Sequence, residues 1–266
     1  MHPIERLRYV ARAGREGPSV LVREAAGALA GFTYDPAALV TACRRLVDRQ
    51  PHAAPVWWLA ARVLAEPDSA REAWAAADRI DDDPTPTVLR DLIPEDARVL
   101  ALGWPELVAP ALARRGDLEV FVVDALGDGS GLVRGLERAG TEATLVEERG
   151  AAAIAADVDI VLIDVVGLGP TGAVAVAGSR AAATVGHHAG RTVWAVAGVG
   201  RVLPGQLWDV YLQRLGDDHD PWDADIEFIP IDVFDAVVGP TGLLTAADAV
   251  AAADCQVVPE LLKGLD

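Results

Sequence analysis

Two changes of texture along the chain predict an α/β protein, with an all-helical N-terminal domain (residues 1–92) followed by a Rossmann-like doubly wound parallel sheet (residues 93–266). Up to about residue 80, apolar residues recur at helical spacing between prolines and cap residues, and no strand pattern interrupts them. From Arg98 onward, short β-branched runs alternate with helical segments, as in a parallel sheet covered on both faces.

The helices follow from their punctuation. Pro3 opens the first, which carries Ile4, Leu7, Val10 and Ala11, and Pro18 opens the second, SVLVREAAGALAGF. Asp35 and Pro36 are an N-cap and first-turn pair for AALVTACRRLVDRQ. Pro55 starts VWWLAARVLA, and Pro67 starts a last helix through Ala77. The run Asp81-Asp-Asp-Pro-Thr-Pro86 joins a charge cluster to two prolines and reads as the boundary, with TVLRDLI bridging to the second domain.

The strands come next. VLALG (Val99 to Gly103) is followed by the helix PELVAPALARR, despite Pro110. LEVFVVD (Leu118 to Asp124) leads through the loop ALGDGSG into the helix LVRGLERAG. EATLVEE, DIVLID, TVWAVAG and IEFIPID are the third to sixth strands, and no internal repeat is evident. Asp157 to Gly200 reads as strand, glycine-rich loop, small-residue helix and strand. Ligands of doubly wound sheets bind outside the carboxyl ends of the strands, so Asp164 to Gly172 is expected to border any small-molecule site.

Composition narrows the chemistry. A net charge of −17 disfavours nucleic-acid binding through a diffuse basic field. Of 23 basic residues only Lys263 is a lysine, which rules out a P-loop lysine or a Schiff base near the glycine loops. Cys43 and Cys255 lie far apart without metal-spaced partners, so no metal site is expected and a disulfide between them is possible but unsupported; no cofactor is expected either. The N-terminus is amphipathic rather than a signal peptide, and no run reaches membrane-spanning length. The expectation is a cytoplasmic protein.

Candidate site residues follow from position. Asp124 ends the second strand, where a ribose-binding acid sits in dinucleotide enzymes, but the first turn, Gly103-Trp104-Pro105-Glu106, is no G-x-G-x-x-G. Gly167, Gly169, Thr171 and Gly172 form a loop that reads equally as an anion nest or as a turn needing positive φ. Ser179 begins the following helix. Arg201, after Gly198-Val199-Gly200, is placed to hold a phosphate. His187-His188 suits a helix C-terminus. Trp57-Trp58 reads as packing, and the acidic run Asp217 to Asp220 as a solvated loop.

Four stretches give the chain a family likeness: RQPHAAPVWWLAARVL (Arg49 to Leu64), VFVVDALGD (Val120 to Asp128), VDIVLIDVVGLGPTGAVAVAGSRAAATVGHHAG and IPIDVFDAVVGPTGLL. They resemble the superfamily of the alpha, beta and delta subunits of translation initiation factor 2B, methylthioribose-1-phosphate isomerase and ribose-1,5-bisphosphate isomerase. That resemblance implies a helical domain, a Rossmann-like domain and a homodimer formed through the latter. Pro51, Ala53, Trp58 and Arg62 fall on the family pattern. The chemical positions do not: Gly103 stands where the isomerases have a cysteine, Val166 where they have an aspartate, and Leu126 where they have an arginine. Val176-Ala177 lies near an absent asparagine–lysine pair, and Gln50 replaces a second arginine.

The leading expectation is therefore a catalytically degenerate, initiation-factor-2B-like binding or regulatory module. Its expected sugar-phosphate or nucleotide pocket is lined by Asp124, Asp164, the 167–172 loop, Ser179 and Arg201. The second reading is an aldose–ketose isomerase acting on a phosphorylated sugar, with Asp164 as a relocated proton shuttle and Arg201 plus loop amides on the phosphate. The third is an adenosylmethionine-dependent methyltransferase with Asp124 on the ribose.

Overall fold

A computed structural model of the protein describes residues 17–32, 34–216, 220 and 222–263; the helix expected from Pro3 and most of the acidic run at 217–220 lie outside them. The chain divides into two units by contact. One holds Met1–Asp83, Val199–Asp218 and Val250–Asp266, and the other holds Pro84–Gly198 and His219–Ala249. The division at Asp83 falls inside the Asp-Pro run, nine residues before the sequence-based limit at residue 92, and the helical unit recruits two later segments.

The helical unit begins with α1 (Pro18–Leu29), α2 (Pro36–Arg49), α3 (Ala54–Ala65) and α4 (Ser69–Asp81). Prolines occupy the first turns of α1, α2 and α3, where a missing N–H costs nothing. The Asp35 carboxylate accepts the Ala38 amide at 2.9 Å, and Asp68 accepts that of Arg71 at 3.1 Å. Each such cap contributes ~1 kcal/mol. Helix α3 is buried on nearly every face, Trp57 and Trp58 included, and is the core of this unit.

The second unit opens with α5 (Thr85–Leu92). The two prolines expected to break structure instead start this helix, because proline in a first turn forfeits no helical hydrogen bond and presets φ. Then come β1 (Arg98–Leu102), α6 (Val108–Leu112), β2 (Glu119–Val123), α7 (Gly129–Ala139), β3 (Glu142–Val146), α8 (Ala151–Ala155), β4 (Ile160–Gly169), β5 (Gly172–Val176), α9 (Ser179–His188) and β6 (Thr192–Val196). Pro110 falls within the first turn of the five-residue α6, which explains its tolerance. After β6 the chain passes through α10 (Gly205–Leu215) of the helical unit. It returns as β7 (Ile226–Pro230), β8 (Ala236–Gly239), β9 (Gly242–Leu244) and α11 (Ala246–Ala251), and ends with α12 (Pro259–Leu262).

The main sheet runs β3-β2-β1-β4-β6-β8-β9. Its members are parallel up to β8, and β9 returns antiparallel. One face packs Val99, Val120, Val122, Ile160 and Leu162 against Leu89, Leu112, Leu132 and Leu136 of the helices. Burying side chains of this size contributes ~1.5–3 kcal/mol each.

Two sequence expectations change here. The sheet is not parallel throughout: β5 pairs antiparallel with both β4 and β7, so IEFIPID belongs to a second ladder. The 167–172 stretch is not a strand-to-helix loop. Strand β4 continues past the parallel sheet to Gly169, with a bulge between Val165 and Gly167, and turns through Pro170-Thr171 into β5. A run of Val and Gly carries no signal for whether a strand stops or bends. The same tetrapeptide, Gly-Pro-Thr-Gly, recurs at 239–242 and again makes a hairpin, with Gly239 opposite Gly242 as Gly169 lies opposite Gly172. No helix of the described residues is long and apolar enough to cross a membrane.

Candidate functional site

Strand order reverses between β1 and β4, the switch point at which doubly wound folds take ligands. The two strands pair only at Val99–Ile160 and Leu100–Val161, then separate. Asp164 stands where they diverge. It is half-buried, and its Oδ2 accepts the main-chain amides of Leu107 at 2.7 Å and Val108 at 3.3 Å. Asp164 thus caps the start of α6, the helix that follows β1.

Asp124, at the end of β2, has the same role. Its Oδ1 accepts the amide of Gly129 at 2.9 Å, at the start of α7. A β-carbon on Gly129 would lie 2.9 Å from the Asp124 Cα, so glycine is required for this approach. At the start of α9, the Arg180 amide donates to Glu227 Oε1 at 2.9 Å. Three helices that begin at this edge therefore direct a first-turn amide at a carboxylate of the chain itself. Helix N-termini attract anions through these amides and the helix dipole, and here side chains already supply the anion.

The remaining predicted site residues are placed as follows. Gly167, Gly169 and Gly172 are buried in the β4–β5 ladder, with Gly167 opposite Val174 and Gly169 opposite Gly172. Their main chain therefore lies in a strand ladder and its hairpin rather than in a strand-to-helix loop. Thr171 is exposed at the hairpin turn, and its carbonyl accepts the Ile231 amide at 3.2 Å. Ser179 opens α9 and is 1% exposed, preceded by Gly178 at φ 91. Arg201 belongs to the helical unit and is 3% exposed, so it is no open cation at the end of β6. Gly200 beside it has φ 75, and a β-carbon there would lie 3.0 Å from the Trp58 ring. Close packing, rather than phosphate, accounts for that glycine. His187 and His188 are exposed in the last turn of α9.

Sequence reasoning missed Glu227 and the amides of Leu107 and Val108. The Asp164 cap joins residues 57 apart and leaves no local signal, unlike Asp35 three residues from its amide. Leu126, which stands where the resemblance places an arginine, is held at φ 56 just after β2, and Trp104 of the first turn is 57% exposed with its ring 2.8 Å from where a β-carbon on Gly131 would lie. A cavity of about 460 Å³ lies away from Asp124 and Asp164, at the amino end of the strands, lined by Arg90, Asp91, Ile93, Glu95, Asp96, Arg115 and Asp117. Arg115 is committed there to Asp117 and to the carbonyls of Arg90, Ile93 and Pro94. Among the described residues no group of His, Cys, Asp or Glu is placed to hold a metal.

With the long β4 shared between a parallel sheet and an antiparallel ladder, the architecture can be compared with solved structures. Translation initiation factor eIF-2B of Pyrococcus horikoshii OT3 superposes with a TM-score of 0.75 at 16% identity, over 93% of this chain and 98% of that one. The eIF2B beta subunit of Chaetomium thermophilum gives 0.75 at 18% identity, over 99% and 93%. The 5-methylthioribose 1-phosphate isomerase of P. horikoshii OT3 gives 0.62 at 15% identity, over 94% and 87%. The chain shares the fold of these initiation-factor-2B and 5-methylthioribose 1-phosphate isomerase structures. No protein-family model and no curated protein matches its sequence. Within the initiation-factor-2B-like fold, the position where the resemblance places a catalytic cysteine is Gly103, at φ 62 and buried. A β-carbon there would sit 3.4 Å from the Ala125 carbonyl oxygen.

Proposed function

We propose that the protein is a non-catalytic binding or regulatory module of the initiation-factor-2B type that assembles as a homodimer through its sheet unit. One observation carries the non-catalytic reading: the Asp164 carboxylate at the switch point is engaged by two main-chain amides. An oxygen that already accepts two main-chain amides is committed to the fold rather than to a substrate proton. Gly103, at the position where the resemblance places a cysteine, has no side chain and offers no nucleophile. A C. thermophilum eIF2B beta–delta complex of this fold is tetrameric, which supports assembly here.

The sugar-phosphate or nucleotide pocket is the finer question. Carboxylates at the starts of α6, α7 and α9 weaken any anion held at this edge, and the reading is of a scaffold rather than a phosphate enzyme. A thermal-shift screen of sugar phosphates and nucleotides, with wild type and Asp164→Asn side by side, tests it. The expected result is no ligand-dependent stabilisation in either protein. Stabilisation by a phosphorylated sugar that is lost in Asp164→Asn, with turnover of that sugar, would establish the isomerase reading instead.

A further inference from the structure

The last stretch of chain is held to the helical unit by side chains that reach up from the helices. The Asp254 carbonyl accepts the Trp58 Nε1 hydrogen at 2.6 Å, and its carboxylate bridges Arg62 at 2.8 Å and Arg79 at 2.5 Å. Those two guanidinium groups flank the Trp58 ring, with centroid distances of 5.3 and 5.4 Å. Further along, Arg44 Nε donates to the Glu260 carbonyl at 2.7 Å. Among the described residues the segment pairs with no strand, and its α12 has four residues. Between Asp254 and Lys263 only Cys255, Val258 and Leu261 are buried.

This is a weak kind of attachment. Ion pairs whose carboxylate is 57% exposed are screened by salt, and three buried side chains contribute far less than the α1–α4 core. Segments with few buried apolar contacts open locally at a fraction of the global unfolding cost. We propose that residues 254–263 are a releasable strap, latched by Asp254 to Arg62 and Arg79, that opens while the helices beneath it stay folded. Opening frees the Trp58 indole N–H and the guanidinium groups of Arg44 and Arg79 from their strap partners, while Arg62 keeps its ion pair with Glu72.

The chain carries its own reporters. Cys255 lies in the strap at 8% exposure, and Cys43 lies in α2 at 0%. Burial, reinforced by the Asp254 charge against Arg62, pushes the Cys255 thiol up to about 12, so its reaction requires opening. Cys43 is also raised by burial and reports unfolding of the helices. The experiment is labelling of the full-length protein with a disulfide reagent, followed by peptide mapping of the two sites. Cys255 is expected to react more than ~10-fold faster than Cys43. Arg79→Gln and added salt are each expected to speed Cys255 by ~3-fold or more, leaving Cys43 unchanged. Arg79→Gln removes one arm of the latch and leaves both cysteines in place, so acceleration confined to Cys255 reports opening. One common rate for both cysteines would overturn the strap, because release would then need global unfolding. A faster Cys255 indifferent to Arg79→Gln and salt would overturn the latch.

Discussion

Asp164 on β4 and Leu107 at the head of α6 are joined by a 2.7 Å hydrogen bond from the Leu107 amide to the Asp164 carboxylate, across the point where β1 and β4 diverge. The residue best placed to act as an acid or base at the switch point is thereby a structural cap.

Its replacement therefore costs stability first. Asp164→Ala is expected to lower stability by ~0.5–2 kcal/mol, the range for a lost helix cap. In a chain of this size that is a drop of about 2–4 °C in melting temperature per kcal/mol. Asp164→Asn keeps an acceptor oxygen but loses the charge facing the helix dipole, and should cost about half as much or less. Thermal unfolding of the three proteins checks the order. Equal melting temperatures would mean that the cap contributes nothing.

The hairpin at 169–172 and the helix α7 predict opposite outcomes for two glycine-to-alanine changes. A β-carbon on Gly172 would lie 2.3 Å from the Ile229 carbonyl oxygen and 2.5 Å from the Phe228 ring, against backbone that cannot yield without breaking the β5–β7 ladder. Gly172→Ala is expected to destabilise by ~1–3 kcal/mol. Gly135, within α7, has open space around it. Gly135→Ala should stabilise by ~0.5–1 kcal/mol through helix propensity. Denaturant midpoints of the pair, measured against wild type, decide the matter.

The amino end of the sheet predicts an acid-sensitive clamp. Arg115 donates to both oxygens of Asp117, at 2.7 and 2.5 Å, and this contact holds the Asp117 carboxyl well below the ordinary carboxylate range. Because the folded value lies below the unfolded one of ~3.9, the stabilisation is fully present above that pH. It fades as pH falls below ~3.9 toward the folded value. Wild type should therefore lose stability relative to Asp117→Asn between about pH 5 and pH 2, and the two should run parallel above pH 5. A constant difference down to pH 2 would show that the carboxylate is not held in its charged form.

Much of this protein could be read from local pattern. Prolines marked the starts of α1 to α3, and Asp35 marked a cap three residues from its amide; α4 was read from Pro67 to Ala77, whereas it is capped by Asp68 and runs from Ser69 to Asp81. Short β-branched runs marked β1, β2, β4 and β6. The same signals named Asp124 and Asp164 as residues at strand ends.

The sequence by itself determined the two kinds of packing, the strand-and-helix alternation, the lack of lysine at the glycine loops, and the likeness to the initiation-factor-2B superfamily. The tertiary structure decided the rest. Whether β4 ended at Asp164 or ran on to Gly169 depended on β5 and β7 arriving to pair with it. Asp164 became a cap because its partner amides lie 57 residues earlier in the chain, brought near when β1 and β4 paired. Arg201, read as a phosphate ligand at the carboxyl edge or a generic surface arginine, is 3% exposed and belongs to the helical unit. In each case the deciding contact is between residues distant in the chain. Periodicity and capping rules describe neighbours, and they hold no information about which distant group will satisfy a given amide or carboxylate.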